Sequence, residues 1–249
     1  MRQSLLVLII ISTLVGILLC ILLFMIVTSF AITEDFQLLN ARDLDDSRPL
    51  IFVIGLPRTG TCSLSAALSH LGWRTTHYPL NFEVDPDKYL RKMNAIADVT
   101  MLGFSPLELY NRFPEACFIN TKVRADTSHW SRSMLNLYNI INRYRCFRKV
   151  KHILKHYRET FGMTIDSILA AKRTHDKECN MLRNNADCRF LDIALTDKHI
   201  TSEEKWEKLC MFLDIDTPPS RQFFHESHLS YTVKQAYGCA PKARKELSV

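Results

Sequence analysis

The stretch from Pro49 to Leu71 restricts the fold more than any other part of this chain. Pro49-Leu-Ile-Phe-Val-Ile54 is an apolar, β-branched run bounded by proline and glycine, which reads as a buried strand. Gly60–Leu71 then carries Leu64, Ala67, Leu68 and Leu71 at helical spacing and stops at Gly72. Between them lies the turn Gly55-Leu-Pro-Arg-Thr-Gly-Thr-Cys62. A turn in this place exposes backbone N–H groups at a helix N-terminus, where the helix dipole also favours an anion. Its glycines let the main chain approach a phosphate closely, Arg58 adds a fixed cationic fork, and Thr59, Thr61 and Ser63 add hydroxyls.

Downstream, strand and helix patterns alternate. A short strand is expected near Trp73–Thr76, a helix over Pro86–Ala95 and a strand over Ile96–Met101. Ser105–Phe113 reads as a helix, with Ser105 as N-cap, Pro106 at the first position and Glu108 three residues after the cap. Ala116–Val123 is a third apolar strand. Helical patterns run through Trp130–Asn142 and Phe147–Lys172, Arg189–Ala194 is a last strand, and Ser202–Leu213 is a helix with a box-like Ser202/Lys205 start. Such alternation predicts a three-layer α/β domain: a parallel sheet covered on both faces, opened by a P-loop-like strand–turn–helix. At 47% hydrophobic and 23% charged residues the chain is ordinarily globular, which sets disorder aside.

The N-terminus is of another kind. Leu5–Val27 is almost wholly aliphatic, and its 23 residues are enough for a helix to cross a hydrocarbon core of about 30 Å. A cleavable signal peptide is the rival, with Ser29-Phe30-Ala31 as a small-x-small site, but its apolar core would run only about 7–15 residues. Arg2 before the span and Glu34 and Asp35 after it predict a cytosolic tail and a lumenal body. The expected organisation is a tail and signal anchor over 1–33, an acidic stem over 34–48 and the α/β domain over 49–249. That is a single-pass type II membrane protein, as in many Golgi glycan-modifying enzymes. A net charge of +6 favours anionic partners without separating nucleotide, nucleic acid and acidic glycan; lumenal placement disfavours nucleic acid. Eight cysteines include no CxxC and no Cys/His spacing suited to zinc, so no metal is expected. Cys179 and Cys188 bracket a polar stretch, Asn180 to Asp187, and are either a loop-closing disulfide or two unpaired thiols.

The turn at Gly55–Cys62 is not a regular nucleoside-triphosphate loop. Gly55 and Gly60 have the Walker separation, but Thr61-Cys62 stands where Lys-Ser/Thr should be, and the cation sits inside the loop at Arg58. A P-loop kinase or related phosphotransferase is therefore the weaker reading. Phe52-Val-Ile-Gly-Leu-Pro-Arg-Thr-Gly-Thr-Cys-Ser-Leu64 instead resembles the 5'-phosphosulfate loop of the sulfotransferase superfamily, in the branch reading G-x-x-R-T-G-T-x-S-L. The resemblance implies a 3'-phosphoadenosine-5'-phosphosulfate donor, used without a metal. Its 5'-phosphate would be gripped by Arg58, Thr59, Gly60, Thr61, Cys62 and Ser63, and Arg58 would also neutralise charge on the bridging oxygen as sulfate leaves.

A second likeness lies at Tyr110-Asn-Arg-Phe-Pro-Glu-Ala-Cys-Phe-Ile-Asn-Thr-Lys-Val-Arg124, followed by Asp126 and Trp130-Ser-Arg-Ser133. It is similar to the family's 3'-phosphate segment and implies Arg124 and Ser133 as ligands. The family's Arg-Asp-Pro is Arg124-Ala-Asp here and Trp130 falls one residue late, so Ser131 is an alternative to Ser133. Arg189-Phe-Leu-Asp-Ile and Glu204–Asp214 resemble the family's late strand and the helix after it, with Trp206, Leu209 and Leu213 as a packing face. Sulfuryl transfer to a hydroxyl or amine also needs a base. Asp98 ranks first, because relatives carry an acid near this strand, and His77 second. Arg143–Arg158 holds seven Lys/Arg, two His and no acid, with Phe147, Val150, Leu154 and Tyr157 at helical spacing. That basic face either docks an acidic glycan acceptor or is simply solvated. A lumenal binding protein that kept the fold and lost the base is the non-enzymatic alternative.

Overall fold

Five short strands make one parallel sheet in the order β2-β3-β1-β4-β5. They are β1 (Ile51–Val53), β2 (Thr75–His77), β3 (Ala95–Ala97), β4 (Cys117–Thr121) and β5 (Arg189–Ile193). The helices are α1 (Thr61–His70), α2 (Pro86–Leu90), α3 (Pro106–Arg112), α4 (Thr127–Arg143), α5 (Arg148–Phe161), α6 (Ile165–Arg183) and α7 (Ser202–Phe212). This computed structural model describes residues 48–79, 86–122, 127–143, 145, 148–197 and 199–224, all within the compact unit Asp45–Ser227. Leu5–Val27 and the stem up to Ser47 lie outside the described residues, among which no helix is long and apolar enough to cross a membrane.

Period-two alternation in the strands produces the layers. Ile51 and Val53 point to one face, where they pack with Leu64 and Leu68 of α1 and with Trp206 and Leu209 of α7. Phe52 and Ile54 point to the other, against Leu109 of α3 and Cys179 and Leu182 of α6. The expected packing face of Trp206, Leu209 and Leu213 is buried as a unit. Helices α4, α5 and α6 form a third cluster through Met134, Leu137, Leu154, Tyr157, Phe161 and Ile168, which reaches Leu56 in the β1–α1 turn. Strands with both faces covered read as continuous apolar runs, which is why β1 and β4 are legible without alternation of polarity.

Several expected boundaries move. The strand expected over Ile96–Met101 ends at Ala97, because Asp98 takes a left-handed backbone (φ 60°) and starts the 3-10 turn Val99–Leu102. Asp98 thus follows the strand instead of lying within it. The single helix expected over Phe147–Lys172 is two: α5 stops before Gly162 (φ 67°), and Thr164 with Ser167 forms a capping box for α6. Helix α6 continues to Arg183, through much of the stretch taken for a polar loop, and Cys179 and Cys188 are both free thiols. The disulfide alternative is thereby corrected: Cys179 lies on the buried face of α6, with its thiol 3.5 Å from His175 Nε2. The cap of α7 is Thr201 with Glu204, one residue ahead of the Ser202/Lys205 expected. Ser105 caps α3 as expected, accepting from the Glu108 N–H at 3.1 Å.

Candidate active site

The turn after β1 is held from behind by four successive carbonyls. The Ile54 carbonyl accepts from His175 Nε2 at 2.8 Å, and that of Gly55 from Thr100 Oγ1 at 3.1 Å. The Leu56 carbonyl accepts from Thr59 Oγ1, and that of Pro57 from Trp130 Nε1 at 3.0 Å. Thr59 Oγ1 also meets Thr121 Oγ1 at the end of β4. Donors from α6, the 3-10 turn, the loop itself and α4 therefore turn the carbonyls into the protein. The opening amides of α1 are orphans of the helix ladder, so this arrangement leaves them to an anion.

Two glycines make the close packing possible. Gly60 has φ 105° and lies against Leu195, whose Cβ would be 3.0 Å from a Cβ on Gly60. At Gly55 a Cβ would stand 1.8 Å from Thr121 Oγ1 and 2.7 Å from the Thr121 backbone nitrogen. Gly55→Ala is accordingly expected to push β1 from β4 at the root of the turn. Chemical denaturation should show a loss of about 1–3 kcal/mol, the usual cost of overpacking.

Arg58, itself left-handed (φ 68°), is half-buried, and its Nε donates to Ser133 Oγ at 3.1 Å. The structure thus joins residues drawn from two separate sequence matches, 75 positions apart. Ser131 is instead buried and spends its hydroxyl on the Ser128 carbonyl at 3.0 Å. Arg124 and Asp126 lie outside the described residues. Burial lowers the Arg58 pKa, partly offset by Cys62. Among the described residues no carboxylate pairs with this guanidinium. A partly desolvated cation without a counter-charge is costly, and an oxyanion is the partner that would relieve it.

On the opposite flank His77, the last residue of β2, meets Asp98, the residue after β3. Nε2 of His77 lies 2.9 Å from Asp98 Oδ2, 3.2 Å from Cys62 Sγ and 3.4 Å from Thr61 Oγ1. The parallel pairing of β2 with β3 sets His77 opposite Ala97, which brings the two base candidates together. Burial alone would depress the imidazole pKa. The charge and hydrogen bond of Asp98, helped by Cys62, outweigh it and push His77 up to about 10. The shift favours the imidazolium form of His77 near neutrality. Since its folded pKa exceeds its unfolded value of about 6.5, the pair stabilises the fold fully below that value and loses its contribution as pH rises through about 10. The melting-temperature gap between wild type and His77→Gln should thus be widest below about pH 6.5 and close above about pH 10.

Sequence reasoning missed Thr100, Trp130 as a donor, and His175. None belongs to the loop motif: Trp130 is legible only as part of the second match, and the signal of Thr100 and His175 is a polar side chain on an otherwise apolar face. Among the described residues no group of three or more His, Cys, Asp or Glu side chains could hold a metal ion.

The site sits at the carboxyl ends of β1, β2, β3 and β4 in an open parallel sheet, where α/β folds bind their ligands. A sulfotransferase-domain family profile matches residues 50–84 and 81–229, most of the chain. The chain belongs to the sulfotransferase family. No curated protein matches it in a sequence comparison.

Proposed function

We propose that this protein moves a sulfuryl group from 3'-phosphoadenosine-5'-phosphosulfate to a hydroxyl or amine acceptor. The observation that carries the reading is Arg58: half-buried, with no carboxylate partner among the described residues, and bonded to Ser133 at 3.1 Å. The 5'-phosphosulfate would lie on the backbone of Arg58–Ser63, with Ser133 and Arg124 serving the 3'-phosphate. As the acceptor oxygen or nitrogen bonds to sulfur, the bond from sulfur to the bridging oxygen breaks and negative charge grows on the departing phosphate. Arg58 stabilises that charge most strongly in the transition state, the kind of interaction that raises turnover. The acceptor's proton passes to Asp98. His77 stays protonated beside it and adds its positive charge to the first turn of α1.

The acceptor reading is an acidic glycan, supported by the exposed Arg143, Arg145, Lys151, Lys155 and Arg158 of the α4–α5 segment. With the aliphatic span Leu5–Val27, it fits a type II protein of the Golgi with its catalytic body in the lumen. The branch defined by the Arg-Thr-Gly-Thr loop is part of the same proposal.

Calorimetric titration of 3',5'-adenosine bisphosphate into the full-length chain tests it, with magnesium–ATP as comparison. Binding of the bisphosphate that is lost in Arg58→Ala is the expected result. A preference for magnesium–ATP would overturn the donor assignment, and binding of the bisphosphate without turnover of any acceptor would leave a binding protein.

A further inference from the structure

Helix α5 carries two histidines that the proposed reaction does not use. His152 and His156 are four residues apart and so share one face of the helix. Their Nε2 atoms are 3.2 Å apart, and the rings meet edge to face with centroids 4.4 Å apart. His156 is buried, at 6% exposure. The helix beneath is anchored by Leu154, Tyr157 and Phe161, and the Tyr157 hydroxyl donates to the Met134 carbonyl at 2.7 Å.

Two imidazole nitrogens bound to one ion at about 2.0–2.1 Å, with an angle of about 100–110° between the bonds, stand roughly 3.1–3.4 Å apart. The pair already has that separation. The other nitrogen of His156, Nδ1, is 4.0 Å from Glu159 Oε2. A carboxylate on that side is what commonly orients a metal-bound imidazole.

We propose that His152 and His156 chelate a divalent transition-metal ion of the Zn2+ class through their Nε2 atoms. Among the described residues no larger ligand cluster forms, so these two imidazoles are the ligands that the described residues supply. Lys151 and Lys155 are exposed on the same helix and repel cations. The site therefore favours ions with strong imidazole affinity and rejects Mg2+ and Ca2+, which prefer oxygen. The ion staples one turn of α5, whose core side packs in the same cluster as Met101 of the 3-10 turn after Asp98.

A titration of ZnCl2 into the untagged full-length protein, followed by calorimetry, tests the site. Saturable binding of one ion is expected, with none for MgCl2. His152→Gln and His156→Gln should each weaken it by about 10-fold or more, and Glu159→Gln by less. ZnCl2 should raise the melting temperature of wild type but not of the double histidine variant. Binding retained in the double variant, or lost in Cys62→Ser alone, would overturn the assignment, the latter by moving the ion to Cys62 and His77. So would the absence of saturable binding by wild type. If the helix variants unfold, the Cu2+ electron paramagnetic resonance spectrum of wild type decides: two equatorial imidazole nitrogens uphold the chelate, one or none rejects it.

Discussion

Arg58→Ala is expected to lower turnover by about 10²–10³-fold, the usual cost of removing one donor aimed at developing negative charge. Arg58 is the cation of the donor loop, and among the described residues no carboxylate cancels its field. The same variant should bind 3',5'-adenosine bisphosphate more weakly, because the fork also touches Ser133. Arg58→Lys separates charge from geometry. It keeps the charge but loses the planar donor at 3.1 Å from Ser133 Oγ, so it should recover part of the rate and little of the binding. Release of sulfate from the donor to water, or to a model hydroxyl or amine that supports turnover, gives the readout. Equal rates in wild type and Arg58→Ala would remove the loop from the chemistry.

Asp98→Asn is expected to cost about 10²–10⁴-fold in turnover, the range for a lost general base, while bisphosphate binding changes only a few-fold at most. The split follows from position. Asp98 is 1% exposed and stands after β3, beside His77, whereas the donor contacts lie on the loop after β1 and on α4. Its partner His77 is held as a cation by Asp98 itself, so the two act as a unit. Asp98→Asn with His77→Gln should therefore be scarcely slower than Asp98→Asn alone, far from the product of the single losses. Additive losses, or a turnover in Asp98→Asn close to wild type, would place the proton acceptor elsewhere.

Much of the sheet could be read from the chain because its signals are local. The apolar run before Gly55, the helical spacing of Leu64, Ala67 and Leu68, and the Ser105-Pro106-Glu108 start of α3 all depend on residues within one or two turns of each other. Boundaries failed where a single residue's backbone decided the matter. Asp98 closes β3 by going left-handed, and Gly162 divides one helical pattern into α5 and α6. Thr201 outcompeted Ser202 as a cap because Glu204, not Lys205, can return a hydrogen bond to the cap's own N–H, at 2.7 Å.

The site divides in the same way. By itself the sequence determined the strand–turn–helix, the cation within its loop and the glycines that let a phosphate approach, because short-range sterics and helix-end electrostatics write these into consecutive residues. Only the tertiary structure decided that Arg58 meets Ser133, that His77 and Asp98 form one ion pair, and that His175, Thr100 and Trp130 hold the loop carbonyls. Those meetings depend on strand order and on which helix crosses which face. That order is settled by burying both faces of the sheet at once, a condition that no local stretch of sequence contains.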